Sequence, residues 1–257
     1  MMIVAIVVVL PLGALVLSLH GITPAGFVAV VTSPEALAAY RITFGAALLA
    51  SAIDVVAGAA IAVVLVRYRF PGMRVLDALV DVPFALPPAV TGITLATLYG
   101  PHGWLGALLA RCGIAVAYTP AGIVLALTFV GLPFIVRTVQ PVIATLPREY
   151  AQAAASLGAS PSTILRRITL PLVAPAFLTG FALALARTLG EYGSVIFIAG
   201  NMPGKTEIVP LIVVTRLEQY DFSGAAALAL VSLVVSFVML FAINVLQRRM
   251  IDARSPA

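Results

Sequence analysis

The chain has 257 residues, 62% of them hydrophobic and only 10% charged, with a mean hydropathy of +1.13. Soluble domains carry about 25% charged and about 45–50% apolar residues, so a wettable globule is excluded, and so is a disordered chain, which needs low hydrophobicity and high net charge. The net charge of +5 therefore has to be read by where the bases fall relative to membrane spans, and it is no sign of nucleic acid.

A helix needs about 20 mainly apolar residues to cross the hydrocarbon. Six stretches are predicted to do so: Met2 to Leu19, Ile42 to Val66, Leu79 to Leu98, Ala121 to Val142, Leu172 to Ile198 and Ala225 to Leu246. No base precedes the first, and Pro11 and Gly13 interrupt it, which fits an uncleaved span better than a signal peptide. In the second, Asp54 lies deep in the span, where a polar contact between helices is the preferred reading. Asp81, Pro83, Pro87 and Pro88 open the third, the prolines are expected to break or tilt it there, and Gly131 with Pro133 can do the same in the fourth. Tyr99 and Trp104, after the third, suit the headgroup level.

In the fifth span, Arg187 and Glu191 stand one helical turn apart on the face that carries Gly180, Ala184 and Ser194. Such a small and polar stripe suits a pore or a subunit seam. Two readings stay open: Arg187 attracts or gates an anion while Glu191 holds it in place, or the two make a structural ion pair. Apolar runs this long and uniform exclude a strand-based barrel. Pairs such as Gly92 with Ala96, or Gly180 with Ala184, would let helices approach closely. The expected fold is an all-α bundle of six transmembrane helices, one membrane domain over residues 1–257.

Alternating the loops across the membrane sorts the bases. One side holds Arg67, Arg69, Arg74, Arg137, Arg148, Arg166, Arg167, Arg248, Arg249 and Arg254, together with Asp77, Asp81, Glu149 and Asp252. The other holds Arg41, Arg111, Lys205 and Arg216, balanced by Glu35, Glu207, Glu218 and Asp221. The basic side is cytoplasmic by the positive-inside rule, which puts both termini inside a multi-pass membrane protein.

Little in the chain can do bond-making chemistry. Cys112 is the single cysteine, and His20 and His102 lie far apart, so neither a disulfide framework nor a metal site is expected. No HExxH and no GxxxxGK[ST] phosphate loop occurs, so the chain is not expected to be an enzyme or to hydrolyse ATP alone.

The most patterned polar stretch is Thr145 to Pro171, TLPREYAQAAASLGASPSTILRRITLP. Pro147 fits a first helical turn after a Thr145 cap, and Tyr150, Ala153, Ala154 and Leu157 form an apolar stripe. Gly158 can end that helix, and Ser160 with Pro161 starts a second that runs into Arg166 and Arg167. A helix lying on lipid usually presents bulky Trp, Phe or Leu, whereas an alanine face favours close approach to another protein.

This stretch resembles the coupling segment of the membrane subunits of ATP-binding cassette importers. That motif runs Glu-Ala-Ala, three residues, Gly, nine residues, Ile, one residue, Leu-Pro; here Gln152, Ala153, Ala154, Gly158, Ile168, Leu170 and Pro171 stand at the same spacings, with Gln152 in place of the usual Glu and Glu149 one turn earlier. The resemblance implies the six-helix type I importer permease fold, with Glu149, Gln152, Ala153, Ala154, Leu157 and Gly158 docking on a separate ATPase subunit. ATP and magnesium would be bound by that partner and no cofactor by this chain.

The resemblance extends to LVRYRFPG (Leu65 to Gly72), FVGLPFIVRTVQPV (Phe129 to Val142), ARTLGEYGSVIFIAGN (Ala186 to Asn201) and KTEIVPLIVVTRLEQYDFSGA (Lys205 to Ala225), which are similar to the T-type sulfate/thiosulfate permeases. Molybdate permeases are neighbours in sequence, and an anion channel or secondary transporter is the alternative from another class. The resemblance implies two ATPase subunits, a second permease subunit, related or identical, and an extracytoplasmic binding protein that docks on the outer patch holding Lys205, Glu207, Glu218 and Asp221. Its translocation path would involve Arg187, Glu191 and Ser194. The polarity of that outer patch would equally be explained by an ordinary solvated loop.

Overall fold

The computed structural model describes residues 5–252. The start of the first expected span and Arg254 lie outside them. All regular elements among the described residues are helical. The α-helices are α1 (Leu10–Leu17), α2 (Pro24–Val31), α3 (Pro34–Arg67), α4 (Met73–Val80), α5 (Val82–Ala85), α6 (Pro88–Tyr99), α7 (Trp104–Arg111), α8 (Pro120–Thr145), α9 (Arg148–Ser156), α10 (Pro161–Ile164), α11 (Leu170–Leu189), α12 (Val195–Ala199), α13 (Val209–Glu218) and α14 (Phe222–Asp252). A π-helical turn, Leu165–Thr169, joins α10 to α11.

Among the described residues, four stretches are long and apolar enough to cross a membrane: Pro34–Arg67, Pro120–Thr145, Pro161–Leu189 and Phe222–Met250. They contain the second, fourth and sixth expected spans and most of the fifth. The first expected span is different: Leu10–Gly21 and Pro24–Val31 pass as a span only together, and they are bent by 108°. Pro24 cannot continue the preceding turn, and Thr23 caps the new helix by accepting from the Gly26 N–H.

The third expected span is not one helix. It divides at Asp81 and again at Leu86, whose backbone is extended before α6 begins at Pro88. A residue preceding proline is pushed toward the extended region, so the Leu86-Pro87-Pro88 run has to interrupt the helix. By contrast α8 stays continuous through Pro133 and Pro141. Gly131 and Pro133, which could break or tilt the fourth span, do not break it.

By packing, the chain forms two compact units. The first comprises residues 5–47, Pro88–Ala126 and Leu189–Val238, and the second Leu48–Pro87, Leu127–Thr188 and residues 239–252. In the first, Ala36 and Ala39 of α3 pack with Val209 and Ile212 of α13 and Leu228 of α14. The Thr43 hydroxyl there accepts from the Val209 N–H at 2.9 Å, giving a partner to an amide at the start of α13. Gly92 of α6 lies against the chain at Ser194, where an added Cβ would come 2.9 Å from the Ser194 Cα.

The core of the second unit joins Ala62 and Leu65 of α3, Val80 of α4, four residues of α8 from Ile135 to Ile143, and Val173, Ala176 and Ala184 of α11. Glycines bring its helices close: a Cβ at Gly58 would stand 2.7 Å from Ile135 Cγ2, and one at Gly180 would stand 3.2 Å from Ile135 Cα. Without a hydrophobic drive between helices in lipid, such close packing is what holds them. The outer face of α14 remains apolar and exposed, with Phe237, Val238 and Phe241 all more than half accessible.

Candidate functional site

The inner segment forms two short helices. α9 begins after Pro147, whose backbone is extended, and Ser160 caps α10 by accepting from the Thr163 N–H at 3.3 Å. Thr145 is not a cap. It is the last residue of α8, where its hydroxyl donates to the Pro141 and Val142 carbonyls. Gly158 terminates the first helix with φ +82, a left-handed conformation that costs any other residue.

Glu149, Gln152 and Ala153 of α9 are exposed, Ala154 is half-buried, and Leu157 is 89% accessible. Tyr150 on the same stripe is 56% accessible. The helix thus offers a small apolar face that its own fold leaves uncovered, a surface that a protein partner would desolvate favourably.

The Arg187 to Ser194 stretch departs from expectation. α11 ends at Leu189, so Arg187 is on the helix while Glu191 is past its end, and the two do not share a helical face. The cause is local. Glu191 Oε1 accepts from both the Ser194 N–H at 3.0 Å and the Ser194 hydroxyl at 2.8 Å, closing a tight turn between Gly190 and Gly193 that competes with the helical ladder. Glu191 and Ser194 are buried, at 2% and 0% accessible. The turn sits on α6, with the Gly193 Cβ position 2.8 Å from Pro88 Cβ and Gly92 facing Ser194. Both polar groups are engaged with each other, so in this conformation the Ser194 hydroxyl is already a donor to Glu191.

The four outer-patch residues have different environments. Lys205 and Glu218 are exposed. Glu207 is 4% accessible, with its Oε2 lacking a hydrogen-bond partner among the described residues. Burial, and then the neighbouring Glu35 carboxylate, pushes Glu207 above the ordinary carboxylate range. Asp221 goes the other way. Its Oδ1 accepts from the Gly224 N–H at 2.9 Å and its Oδ2 from Arg216 at 2.6 Å, and these hold its carboxyl below the usual range. Asp221 therefore caps α14 and pairs locally, and Glu207 is an interior group where an exposed docking residue was expected.

In the sequence, Arg137 and Asp77 stand out only as inner charges, and Asp81 also as a residue at the opening of the third expected span. In the second unit they form one cluster. Arg137 of α8 donates through Nε and Nη2 to both oxygens of Asp81, at 2.8 and 2.6 Å, and through Nη1 to Asp77 Oδ1 at 2.6 Å. It also donates to Gln140 Oε1 and to the Asp77 carbonyl, each at 2.8 Å. The fork geometry uses all five guanidinium N–H donors and ties α4 to α8. The four-residue spacing of Asp77 and Asp81 was the available signal, since it puts both acids on one face. Asp54 shows no polar contact with another helix: among the described residues neither of its oxygens has a partner.

Comparison with known proteins gives these features a setting. Residues 54–252 match the model of a family described as the binding-protein-dependent transport system inner membrane component. A protein of Nephroselmis olivacea named as a probable sulfate transport system permease protein is 48% identical over 93% of this chain and 84% of its own length. The sulfate transport system permease protein of Salmonella typhimurium is 48% identical over 96% of this chain and 89% of its own. Among solved structures, a bacterial ABC transporter involved in the import of the acidic polysaccharide alginate superposes with a TM-score of 0.79 at 16% identity, covering 96% of this chain and 92% of that one. The MetNI methionine ABC transporter in an inward-facing form gives 0.62 at 18% identity, covering 85% and 99%. At such identities the structural likeness speaks for the helical fold alone. With the family model spanning most of the chain and relatives close to half identical along almost all of it, the chain belongs to the family of binding-protein-dependent transport system inner membrane components.

Proposed function

We propose that the chain is the membrane-spanning subunit of an ATP-driven importer for sulfate and thiosulfate. The observation that carries this reading is the 48% identity to sulfate permeases over more than nine-tenths of the chain. Carrying a dianion into a negative interior costs about 4.6 kcal/mol per 100 mV before any concentration gradient, so an external energy source is required. A passive anion channel would run the wrong way and would have no use for the exposed α9 face.

In this reading α9 docks on an ATPase subunit through Glu149, Gln152, Ala153, Ala154, Leu157 and Gly158, and that subunit holds the ATP and magnesium. The exposure of Tyr150, Ala153 and Leu157 supports it. Two such ATPases and a second permease subunit complete the complex. An extracytoplasmic binding protein meets the outer segment through Lys205 and Glu218, while Glu207 and Asp221 shape that segment from within. The excess of bases on one set of loops supports an inner-membrane placement with both termini in the cytoplasm.

Arg187 is the candidate for attracting the anion, with Glu191 and Ser194 building the turn beside which it passes. Uptake of labelled sulfate by cells carrying the full set of subunits tests the whole reading. It should be competed by thiosulfate, persist when the membrane potential is collapsed and stop when ATP is depleted. Uptake that follows the potential, or that molybdate competes and thiosulfate does not, would replace it. Arg187→Ala with the complex still assembled is expected to lose uptake.

A further inference from the structure

The least explained polar atoms of the second unit lie together. Asp54 and Ser51, one turn apart on α3, are both fully buried. Among the described residues, neither carboxylate oxygen of Asp54 nor the Ser51 hydroxyl has a hydrogen-bond partner, and the buried Thr128 hydroxyl on α8 has none either. The two helices run side by side in constant register. Gly58 meets Ile135, and a Cβ at Gly131 would overlap Asp54 Oδ2. Both pairs have the same separation along the chain, and one turn back that register sets Ser51 against Thr128. α11 closes another side, since Thr188 Cγ2 lies 3.4 Å from the Gly131 Cβ position. Pro133 adds one more oxygen in want of a donor, because it has no N–H to offer the Phe129 carbonyl.

A carboxylate buried without a partner is strongly unfavourable, and unpartnered buried polar groups in native folds usually mark an ion or a water. Every one of these atoms is an oxygen, the donor set of a hard cation. Charge then selects among cations. The layer holds one carboxylate, and among the described residues no three His, Cys, Asp or Glu side chains gather. A monovalent ion leaves such a layer neutral, whereas a divalent one would bury a net positive charge. A proton would also neutralise Asp54, but it provides a single O–H, while a small alkali ion can satisfy the carboxylate, both hydroxyls and a carbonyl at once.

We propose that Asp54, Ser51 and Thr128, with the Phe129 carbonyl, form a buried sodium-binding site that ties α3 to α8. Gly131 belongs to the site because only a residue without a Cβ leaves room for the carboxylate.

The test is thermal unfolding of the full-length chain, purified in detergent, in sodium chloride and in choline chloride of equal ionic strength. Sodium is expected to raise the midpoint saturably, and Asp54→Asn to abolish that response. Ser51→Ala, which removes one neutral oxygen, is expected to raise the half-saturating sodium concentration about tenfold. Equal midpoints in the two salts overturn the proposal, as does an undiminished sodium response in Asp54→Asn. A midpoint that rises on acidification equally in both salts, by a rise that Glu207→Gln leaves in place and Asp54→Asn removes, overturns it too and assigns Asp54 a proton. If Asp54→Asn does not fold, Ser51→Ala and Thr128→Val carry the test, and an unchanged half-saturation in both rejects the site.

Discussion

The inner segment around α9 and the turn that follows α11 are both short, polar interruptions of an apolar chain, yet they are built in opposite ways. At α9 the informative residues point outward: Tyr150, Ala153 and Leu157 are exposed, and the fold does not use them. At the turn, Glu191 and Ser194 are buried and hydrogen-bonded to each other. A surface kept for a partner leaves its pattern in the sequence, because local helix rules alone produce it. A turn held by a buried carboxylate depends on packing against α6, which no local rule reveals.

That contrast makes distinct demands on mutants. The largest effect is expected at Gly92, where a methyl group would run into the Ser194 carbonyl. Gly92→Ala should cost at least about 2 kcal/mol, read as a large fall in the unfolding midpoint and in the yield of folded protein. Wild-type stability would show that the turn does not rest on α6. Next comes Ala153→Glu on α9. It should reduce sulfate uptake about tenfold or more and release the ATPase, while the midpoint of the isolated chain stays unchanged. A stability loss there would mean that the fold does use this face.

A smaller effect is expected at Glu191. Glu191→Ala leaves the Ser194 N–H buried without its partner and should cost about 1–3 kcal/mol, whereas Glu191→Gln keeps an acceptor and should cost under about 1 kcal/mol. Uptake measured at equal folded amounts separates roles. If Glu191→Gln transports normally, the residue positions the turn; if it folds normally but does not transport, the charge itself is needed.

The smallest effect concerns pH on the outer segment. Glu207 has a raised carboxyl, so the folded state holds its proton more tightly than the unfolded chain, and its contribution is present at low pH and lost as pH rises through the folded value. Asp221, held low, contributes stability that is lost only as pH falls through its own depressed range. Mild acidification should therefore raise the midpoint slightly before stronger acid lowers it. Glu207→Gln should remove the rise and leave the fall, as melting curves across mildly acidic buffers would reveal.

Much of the fold could be read directly. The long apolar runs of α3, α8, α11 and α14 are dictated by the need to satisfy every backbone amide within lipid, a requirement that composition reports. The α9 to α10 segment was legible down to Gly158 and Ser160, since a left-handed terminus and a side-chain cap are local events. Two expectations failed. Pro133 was read as able to break or tilt α8, and the helix runs through it unbroken. Arg187 and Glu191 were set on one face, and the Ser194 contacts ended the helix between them.

Residue composition, hydropathy and the spacing of Gln152, Ala153, Ala154 and Gly158 thus sufficed for compartment, fold class and family, because each is expressed over a span of chain no longer than a helix. Folding alone revealed the Arg137 clasp with Asp77 and Asp81, the burial of Glu207, and the layer where Asp54 meets Gly131. Those features join residues distant along the chain, and whether a charge is paired, buried or exposed depends on which other helix arrives beside it.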